Sequence, residues 1–487
     1  MLKPPKIFLY YVIVVIVFGV LSYFTPHEGF RIGSSSFRVK WISVDQLFNK
    51  YSINTVEDSA GYLKDSIQFS LVDTISDIKD TIAPEVLPVV LDTIVKDSIG
   101  NKNILLSYPQ VFKKSLYSFY KRAAGAIDSS KVIRVLHMGD SQIEGDRITR
   151  YLRESFQSKF KGTGPGLITV YDPQKQFPSV WIRNVGYWSE HAIYNVPRLI
   201  KDNQYGLLGR VATIDSVGIS KIFISRSSLA QPKASKFYKS RLFLKSIEKP
   251  LVVNALWENE KISSDSLGKE DGITEINWTF KEAPQRFSLE FEAKQSPLFL
   301  GLSLDSVAGV AVDNIAMRGQ SSPRLDKTDT VLYRAMADYM NIGLVILQYG
   351  TNMVPTITDN YTFYSRTFYK QLKIIKQTMP NVPVVVVGVG DVASREGGEA
   401  KSYQHIYKIK EAQKAAAFKA GFGFFDLFEA MGGEGSMLKW VEEEPRKAMS
   451  DYTHFNSRGG EQVASWIYTA IMHDYNNWNN STTFNTN

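Results

Sequence analysis

Three short polar strings, far apart along this chain, carry the residue types of acyl-transfer chemistry. The strings are GDSQ at 139–142, GTN at 350–352 and DYTH at 451–454. A serine that attacks a carbonyl needs a general base, and the base needs an acid that orients it. Ser141 supplies the hydroxyl, His454 can act as the base, and Asp451, three residues earlier, can orient the ring. The strings can therefore form one active site.

The first string lies between an apolar run and a helical pattern. Residues 132–138 (VIRVLHM) predict a buried strand, and residues 143–159 predict a helix. A serine at such a turn lies where a parallel sheet exposes its reactive edge, and Asp140 is expected to hold the turn. Serine is also favoured at helix N-caps, so Ser141 taken alone is better explained as a cap for the helix at 143.

Further apolar runs alternate with helical patterns from about residue 105 onward. Strands are predicted at 344–347, 384–387 and 422–426, and helices at 361–379, 406–420 and 459–474. Continuous apolar runs are typical of parallel strands covered on both faces. The alternation predicts an α/β fold, a doubly wound parallel sheet flanked by helices.

A different pattern interrupts this domain. Phe287, Leu289 and Phe291 alternate with polar residues, as do the residues around Trp278. A strict period of two predicts antiparallel strands with one solvent-exposed face. We therefore expect an all-β sandwich over 200–305, inserted between two parts of the α/β domain at 105–199 and 306–475.

The N-terminus predicts a membrane anchor. Residues 7–24 are 18 apolar or uncharged residues preceded by two lysines, and as a helix they would be about 27 Å long. A cleaved signal peptide is the alternative, although no convincing cleavage site follows. An anchor at 1–24 would leave the rest outside the cytoplasm, attached to the inner membrane with its catalytic domain in the periplasm.

The segment after the anchor, 25–104, is expected to be an extracytoplasmic stem and acidic linker. Residues 56–100 hold nine acids and three lysines, a charge of −6 that leaves +14 for the remainder of a chain whose net charge is +8. A helix or partner-docking segment is the alternative, because apolar residues from Leu63 to Ile82 have helical spacing. The Asn-rich tail, 476–487, is expected to be disordered.

Composition excludes several kinds of chemistry. The chain has no cysteine, which excludes disulfides and thiol catalysis, and its six histidines show no metal-ligand spacing. The glycine-rich string at 162–166 lacks the lysine of a phosphate-binding loop. No basic cluster is interleaved with aromatic residues, so nucleic acid is not an expected partner. The sequence predicts neither a cofactor nor a metal.

The three strings, in this order, resemble blocks I, III and V of the SGNH/GDSL hydrolases, and Gly319 in the segment NIAMRGQ resembles block II. The resemblance covers about 105–200 and 305–475. It implies a serine esterase in which Ser141, His454 and Asp451 form the triad. It also implies an oxyanion hole built from the N–H groups of Ser141 and Gly319 and the amide of Asn352.

A β-sandwich between blocks I and II resembles the arrangement in bacterial peptidoglycan O-acetylesterases, although Gln142 replaces the histidine of several relatives. The implied substrate is an O-acetylated envelope glycan, with peptidoglycan first. An O-acetyltransferase that receives acetyl from a membrane acyltransferase would use the same triad. A non-catalytic envelope protein that binds glycan is the remaining alternative.

Overall fold

The structure is a computed structural model that describes residues 104–195, 200–215, 218–396 and 399–483, together with three two-residue strands nearer the N-terminus. The chain divides into two units, Met1–Glu85 and Val86–Asn487. In the first unit, the described residues form one antiparallel pair, β1 (Phe30–Arg31) with β2 (Arg38–Val39). The expected anchor lies outside the described residues, as does the expected acidic linker apart from one short strand. None of the described helices is both long and apolar enough to cross a membrane.

A seven-stranded sheet forms the centre of the second unit. In sheet order its strands are β17 (Gly309–Ala316), β5 (Val132–Gly139), β18 (Ile342–Gln348), β19 (Val384–Val387), β22 (Gly423–Phe425), β4 (Leu106–Pro109) and β3 (Val89–Val90). The first five run parallel, whereas β4 is antiparallel to β22 and the edge strand β3 is antiparallel to β4. The α/β class is as predicted, but the sheet is mixed rather than wholly parallel.

Helices cover both faces of the sheet. They are α1 (Gln110–Ala124), α2 (Thr149–Phe160), α3 (Thr330–Met340), α4 (Thr362–Thr378), α5 (Ile406–Ala420), α6 (Leu427–Met431), α7 (Ser436–Glu442), α8 (Ser457–Met472) and α9 (Tyr475–Thr483). Successive strand residues point to opposite faces, so Val135 joins one core with α1, α2 and α8, and Leu136 joins the other with α3, α4 and α5. Seven of the eight β5 residues are buried. Burying a large aliphatic side chain contributes about 1.5–3 kcal/mol to folding stability. The packing of this strand therefore fixes the position of the turn after it.

Two antiparallel sheets share a third core, and we call them the β-module. One contains β13 (Glu260–Leu267), β12 (Leu251–Trp257), β15 (Arg286–Ala293), β10 (Gly218–Arg226) and β7 (Val180–Val185). The other contains β14 (Glu270–Thr279), β11 (Lys239–Ile247), β16 (Leu298–Asp305), β9 (Arg210–Ile214) and β8 (Trp188–Ala192), with β6 (Gly166–Ile168) also paired to β16. The alternating residues Phe287, Leu289 and Phe291 all point into this core.

The β-module begins earlier than the expected boundary at residue 200, because β6, β7 and β8 already belong to its sheets. A buried ion cluster joins it to the central sheet. Arg134 on β5 pairs with Asp313 on β17 at 2.6 Å and also with Asp305 at the end of β16. Burial raises the pKa of Asp313 to about 6, although Arg134 opposes this. Removing one member of such a cluster leaves a buried charge without a partner, which is strongly destabilising.

The C-terminal segment is not disordered as the sequence suggested, at least as far as Thr483. It forms α9, and Tyr475 packs edge-on against Tyr120 of α1 with 5.4 Å between the ring centroids. Trp478 lies 5.9 Å from the same ring. Two aromatic side chains that cover the α1 surface explain why an Asn-rich segment is ordered. A short hairpin, β20 (Ala393–Glu396) with β21 (Glu399–Ser402), completes the described elements.

Candidate active site

The central sheet brings the three polar strings to one edge. Ser141 follows the carboxyl end of β5, and the string at 350–352 follows the carboxyl end of β18, its parallel neighbour. The string at 451–454 lies in the loop between α7 and α8. Carboxyl ends of adjacent parallel strands meet at the same edge, where open α/β sheets bind their ligands.

The side chains of Ser141, His454 and Asp451 form a continuous chain of hydrogen bonds. Nε2 of His454 lies 2.9 Å from Oγ of Ser141, and Nδ1 lies 2.8 Å from Oδ2 of Asp451. When Nδ1 carries the ring proton, Nε2 accepts from the Ser141 hydroxyl and is ready to take its proton. This is the geometry of a nucleophile, a general base and an orienting acid. Ser141 therefore contacts His454 and does not cap a helix.

Asp451 is held as a carboxylate by its own loop. Its Oδ1 accepts the backbone N–H groups of Thr453 at 3.0 Å and His454 at 2.9 Å. Partial burial acts to raise the pKa of Asp451, but the hydrogen bonds from His454 and Thr453 outweigh it, so that the pKa lies below its usual value. A charged Asp451 stabilises the imidazolium that forms when His454 takes a proton.

Asp140 links the first string to the second. It is completely buried, and its two oxygens accept the backbone N–H groups of Gln142 at 3.0 Å and Thr351 at 3.2 Å. Burial raises the pKa of Asp140 to about 6 despite these bonds. The preceding residue must be glycine, because a Cβ at Gly139 would lie 2.7 Å from a carbonyl oxygen of β18. Asp140 thus holds the serine turn against the neighbouring loop.

The expected oxyanion donors lie on two facing loops. Gly319 is in an exposed turn after β17 with φ of +75°, a left-handed conformation that glycine adopts without strain. The Asn352 amide donates to the carbonyl of Gln320 at 3.0 Å, which ties the second string to the Gly319 turn. Within the described residues, the N–H groups of Ser141 and Gly319 donate no hydrogen bond, so both are free for an oxyanion. Asn352 has one amide hydrogen left for that role.

A buried polar network under the turn was not predicted. The ring of His137 on β5 contacts Oγ1 of Thr149 at 2.8 Å and Oε1 of Gln348 at 3.1 Å. Burial lowers the pKa of His137 to about 4, so the ring is neutral near pH 7. The guanidinium of Arg153 donates two hydrogen bonds to the Asp146 carboxylate, from Nη1 to Oδ2 at 2.6 Å and from Nη2 to Oδ1 at 3.0 Å. Burial acts to raise the pKa of Asp146, but Arg153 outweighs it and the pKa lies below its usual range.

Charged residues line the rim of the site. Arg147 donates to the carbonyl of Ser141 at 2.7 Å, and burial lowers its pKa. Arg318, next to Gly319, forms an ion pair with Glu144 at 2.7 Å. The Arg318–Glu144 pair joins the serine turn to the Gly319 turn. Its two residues are 174 positions apart, so no local pattern could have indicated the contact.

The triad lies in an open part of the surface. The side chains of Asp451 and His454 are 47% and 27% exposed. Two surface cavities of about 450 and 400 Å³ lie elsewhere, one beside Pro445 and Arg458 and the other beside Lys131 and Arg241, and no triad residue lines either. We therefore assign the site from its hydrogen bonds and not from cavity size. In the described part of the chain, no cluster of three His, Cys, Asp or Glu residues could hold a metal ion.

Comparison with solved structures identifies the fold. The structure of a peptidoglycan O-acetylesterase matches with a TM-score of 0.61 and 18% sequence identity, over 77% of this chain and 99% of that one. The chain therefore has the fold of that enzyme, and the α/β part of the sequence prediction is confirmed. At this level of identity the likeness concerns the fold alone.

Two other solved structures match less well. A family two carbohydrate esterase from Clostridium thermocellum matches at 10% identity and a TM-score of 0.23, over 60% of this chain and all of that one. A Bacillus subtilis protein matches at 11% identity and a TM-score of 0.29, over 59% and 88%. These two likenesses are too weak to support an inference. No protein-family model matches the sequence, and no curated protein does.

Proposed function

We propose that this protein is a serine esterase that removes O-acetyl groups from a cell-envelope polysaccharide. The observation that carries the proposal is the triad, with Ser141 2.9 Å from His454 and His454 2.8 Å from Asp451. The first of these contacts joins residues that are 313 positions apart in the chain. A hydroxyl, an imidazole and a carboxylate in this arrangement perform acyl transfer on unrelated folds.

The reaction begins when Oγ of Ser141 attacks the acetyl carbonyl and Nε2 of His454 takes the hydroxyl proton. The N–H groups of Ser141 and Gly319 then stabilise the oxyanion, and one such donor contributes about 3–4 kcal/mol in the transition state. The ester C–O bond breaks, and His454 returns the proton to the departing sugar oxygen. Water, deprotonated by the same ring, then attacks the acetyl-serine. The bond between the acetyl carbon and Oγ of Ser141 breaks, His454 returns the proton to Oγ, and acetate leaves.

The proposed substrate is an O-acetylated glycan, with peptidoglycan first among the candidates. Three observations support this assignment: the fold shared with a solved peptidoglycan O-acetylesterase, the exposure of the triad, and the charge of +14 outside residues 56–100. An open site can accept a polymer that a closed pocket would exclude, and a basic protein attracts anionic envelope polymers. We further propose that residues 1–24 anchor the protein in the inner membrane with the catalytic domain in the periplasm.

The test is acetate release from O-acetylated peptidoglycan and from an aryl acetate. We expect the wild-type protein to release acetate from both and Ser141→Ala to release none above background. Ser129→Ala is the matched control, because its exposed hydroxyl binds only local carbonyls of the same turn. A Ser141→Ala variant that retains full activity would end the proposal.

A second arm adds a soluble, unacetylated glycan as acceptor. Hydrolysis predicts acetate as the main product with and without the acceptor. Acetylated glycan as the main product would instead make the protein an O-acetyltransferase, supplied in the cell by a membrane acyltransferase. A non-catalytic glycan-binding protein predicts that neither product forms.

A further inference from the structure

The residue after the proposed nucleophile is almost completely buried. Gln142 is 4% exposed, and its backbone N–H is fixed by Asp140 at 3.0 Å. Its side chain points away from the serine turn and reaches the loop that carries His454. Burying an amide is unfavourable unless its polar atoms form hydrogen bonds. The hydrogen-bond partners of the Gln142 side chain therefore matter as much as its packing.

Both ends of the Gln142 amide bind the backbone on either side of His454. Nε2 donates to the carbonyl of Thr453 at 2.6 Å, and Oε1 accepts the N–H of Phe455 at 3.4 Å. These two groups are the ones that a neighbouring parallel β-strand would bind if it lay beside residue 454. The Gln142 side chain therefore takes the place of a strand that is absent on this side of the loop.

The other side of the same segment is held by ordinary backbone pairing. Met449 donates its N–H to the carbonyl of His454 at 2.8 Å, and Phe455 forms a bridge with Ala448. Asp451 fixes the rotation of the ring through Nδ1. None of these three contacts links the loop to Ser141, whereas Gln142 is covalently next to Ser141 and bound to both neighbours of His454.

We propose that Gln142 is a positioning residue that sets the distance between the nucleophile and the base. This inference rests on the proposed serine esterase function. It assigns to Gln142 the placement of the His454 backbone and leaves ring orientation to Asp451. A misplacement of about 1 Å between reacting groups can cost on the order of 10²-fold in rate, so losing this link should lower turnover more than substrate binding.

The main test is Gln142→Met, which keeps the length and burial of the side chain but removes both hydrogen bonds. We expect kcat on an aryl acetate to fall about 10- to 100-fold with KM changed less than twofold. Gln142→Glu keeps the oxygen that accepts from Phe455 but turns a carboxylate oxygen toward the Thr453 carbonyl. At pH 8 its kcat should fall as much as that of Gln142→Met, because it breaks the shorter hydrogen bond, the one to the Thr453 carbonyl at 2.6 Å.

The matched control is Gln157→Met. Gln157 is also buried and donates to a single backbone carbonyl, that of Gly164 at 2.9 Å, but it lies on α2 away from the triad. It should lose stability without losing kcat in assays kept well below its melting temperature. Circular dichroism and melting temperatures verify that each variant is folded, and Gln142→Asn replaces any Gln142 variant that is not.

The outcomes separate this inference from the proposed function. An inactive wild-type protein overturns the proposed esterase. An active wild-type protein whose folded Gln142 variants keep wild-type kcat overturns the positioning role alone. Equal kcat losses in Gln142→Met and Gln157→Met also overturn it, because the effect would then come from general destabilisation.

Discussion

The two halves of the candidate site are built in different ways. The nucleophile side, at the end of β5, is completely buried around His137 and Asp140, and these side chains are bound by α2 and by the loop after β18. The base side is a loop with Asp451 and His454 partly exposed. The packed interior therefore fixes the position of the nucleophile, whereas the position of the base depends on a few specific hydrogen bonds. Stability and activity should therefore respond differently on the two sides.

The largest effect is expected on the base side. His454→Ala removes the proton acceptor and should lower kcat at least about 10³-fold. Because the His454 side chain is partly exposed and its hydrogen bonds are to Ser141 and Asp451 within the site, the melting temperature should change little. Steady-state kinetics and thermal unfolding on the same preparation measure both. A large fall in the melting temperature of this variant would show that the two sides do not differ in this way.

A substitution on the nucleophile side should lower both kcat and folding stability. Asp140→Ala leaves the buried N–H groups of Gln142 and Thr351 without an acceptor, and each such group costs about 1–3 kcal/mol. We expect the free energy of unfolding to fall by on the order of 3 kcal/mol and kcat to fall as well, because the serine turn loses its link to the next loop. Chemical denaturation provides the measurement. An unchanged denaturation midpoint would show that Asp140 does not hold the turn.

The smallest expected effect is a change in the pH dependence of folding stability. The buried His137 ring has its pKa lowered to about 4, so below pH 6.5 the unfolded chain binds a proton that the folded protein excludes. This ring therefore lowers folding stability as pH falls, by about 1 kcal/mol per pH unit on average between 6.5 and 5. His137→Asn should lack this component. Unfolding of both proteins across that range would contradict the account if the two slopes were equal.

The sequence predicted the nucleophile side more completely than the base side. The strand before Ser141 is visible as an apolar run, and the spacing of Asp451 and His454 places acid and base within one loop. The partners of Gln142 lie 311 and 313 positions away, so only the folded chain reveals them. The same reason explains α9, because the Tyr120 ring that orders Tyr475 is distant in sequence.

The boundary of the β-module was predicted too late for a different reason. In β7 the burial alternates, with Val180 buried and Trp181 exposed, but the sequence does not show this alternation because the exposed residues Trp181 and Val185 are apolar. The short β6 and β8 around it show no such alternation. The pairing of β6 with β16, more than 130 positions later, is what assigns this region to the module.

The central claim is that Ser141 carries the acyl group during turnover. The most direct measurement is to mix the wild-type protein with an aryl acetate, quench it with acid within the first turnover, and map acetylated peptides by mass spectrometry. The account predicts one acetyl group on the peptide containing Ser141, and its absence in Ser141→Ala and His454→Ala. Acetylation at another residue, or acetate release without a modified Ser141, would contradict it.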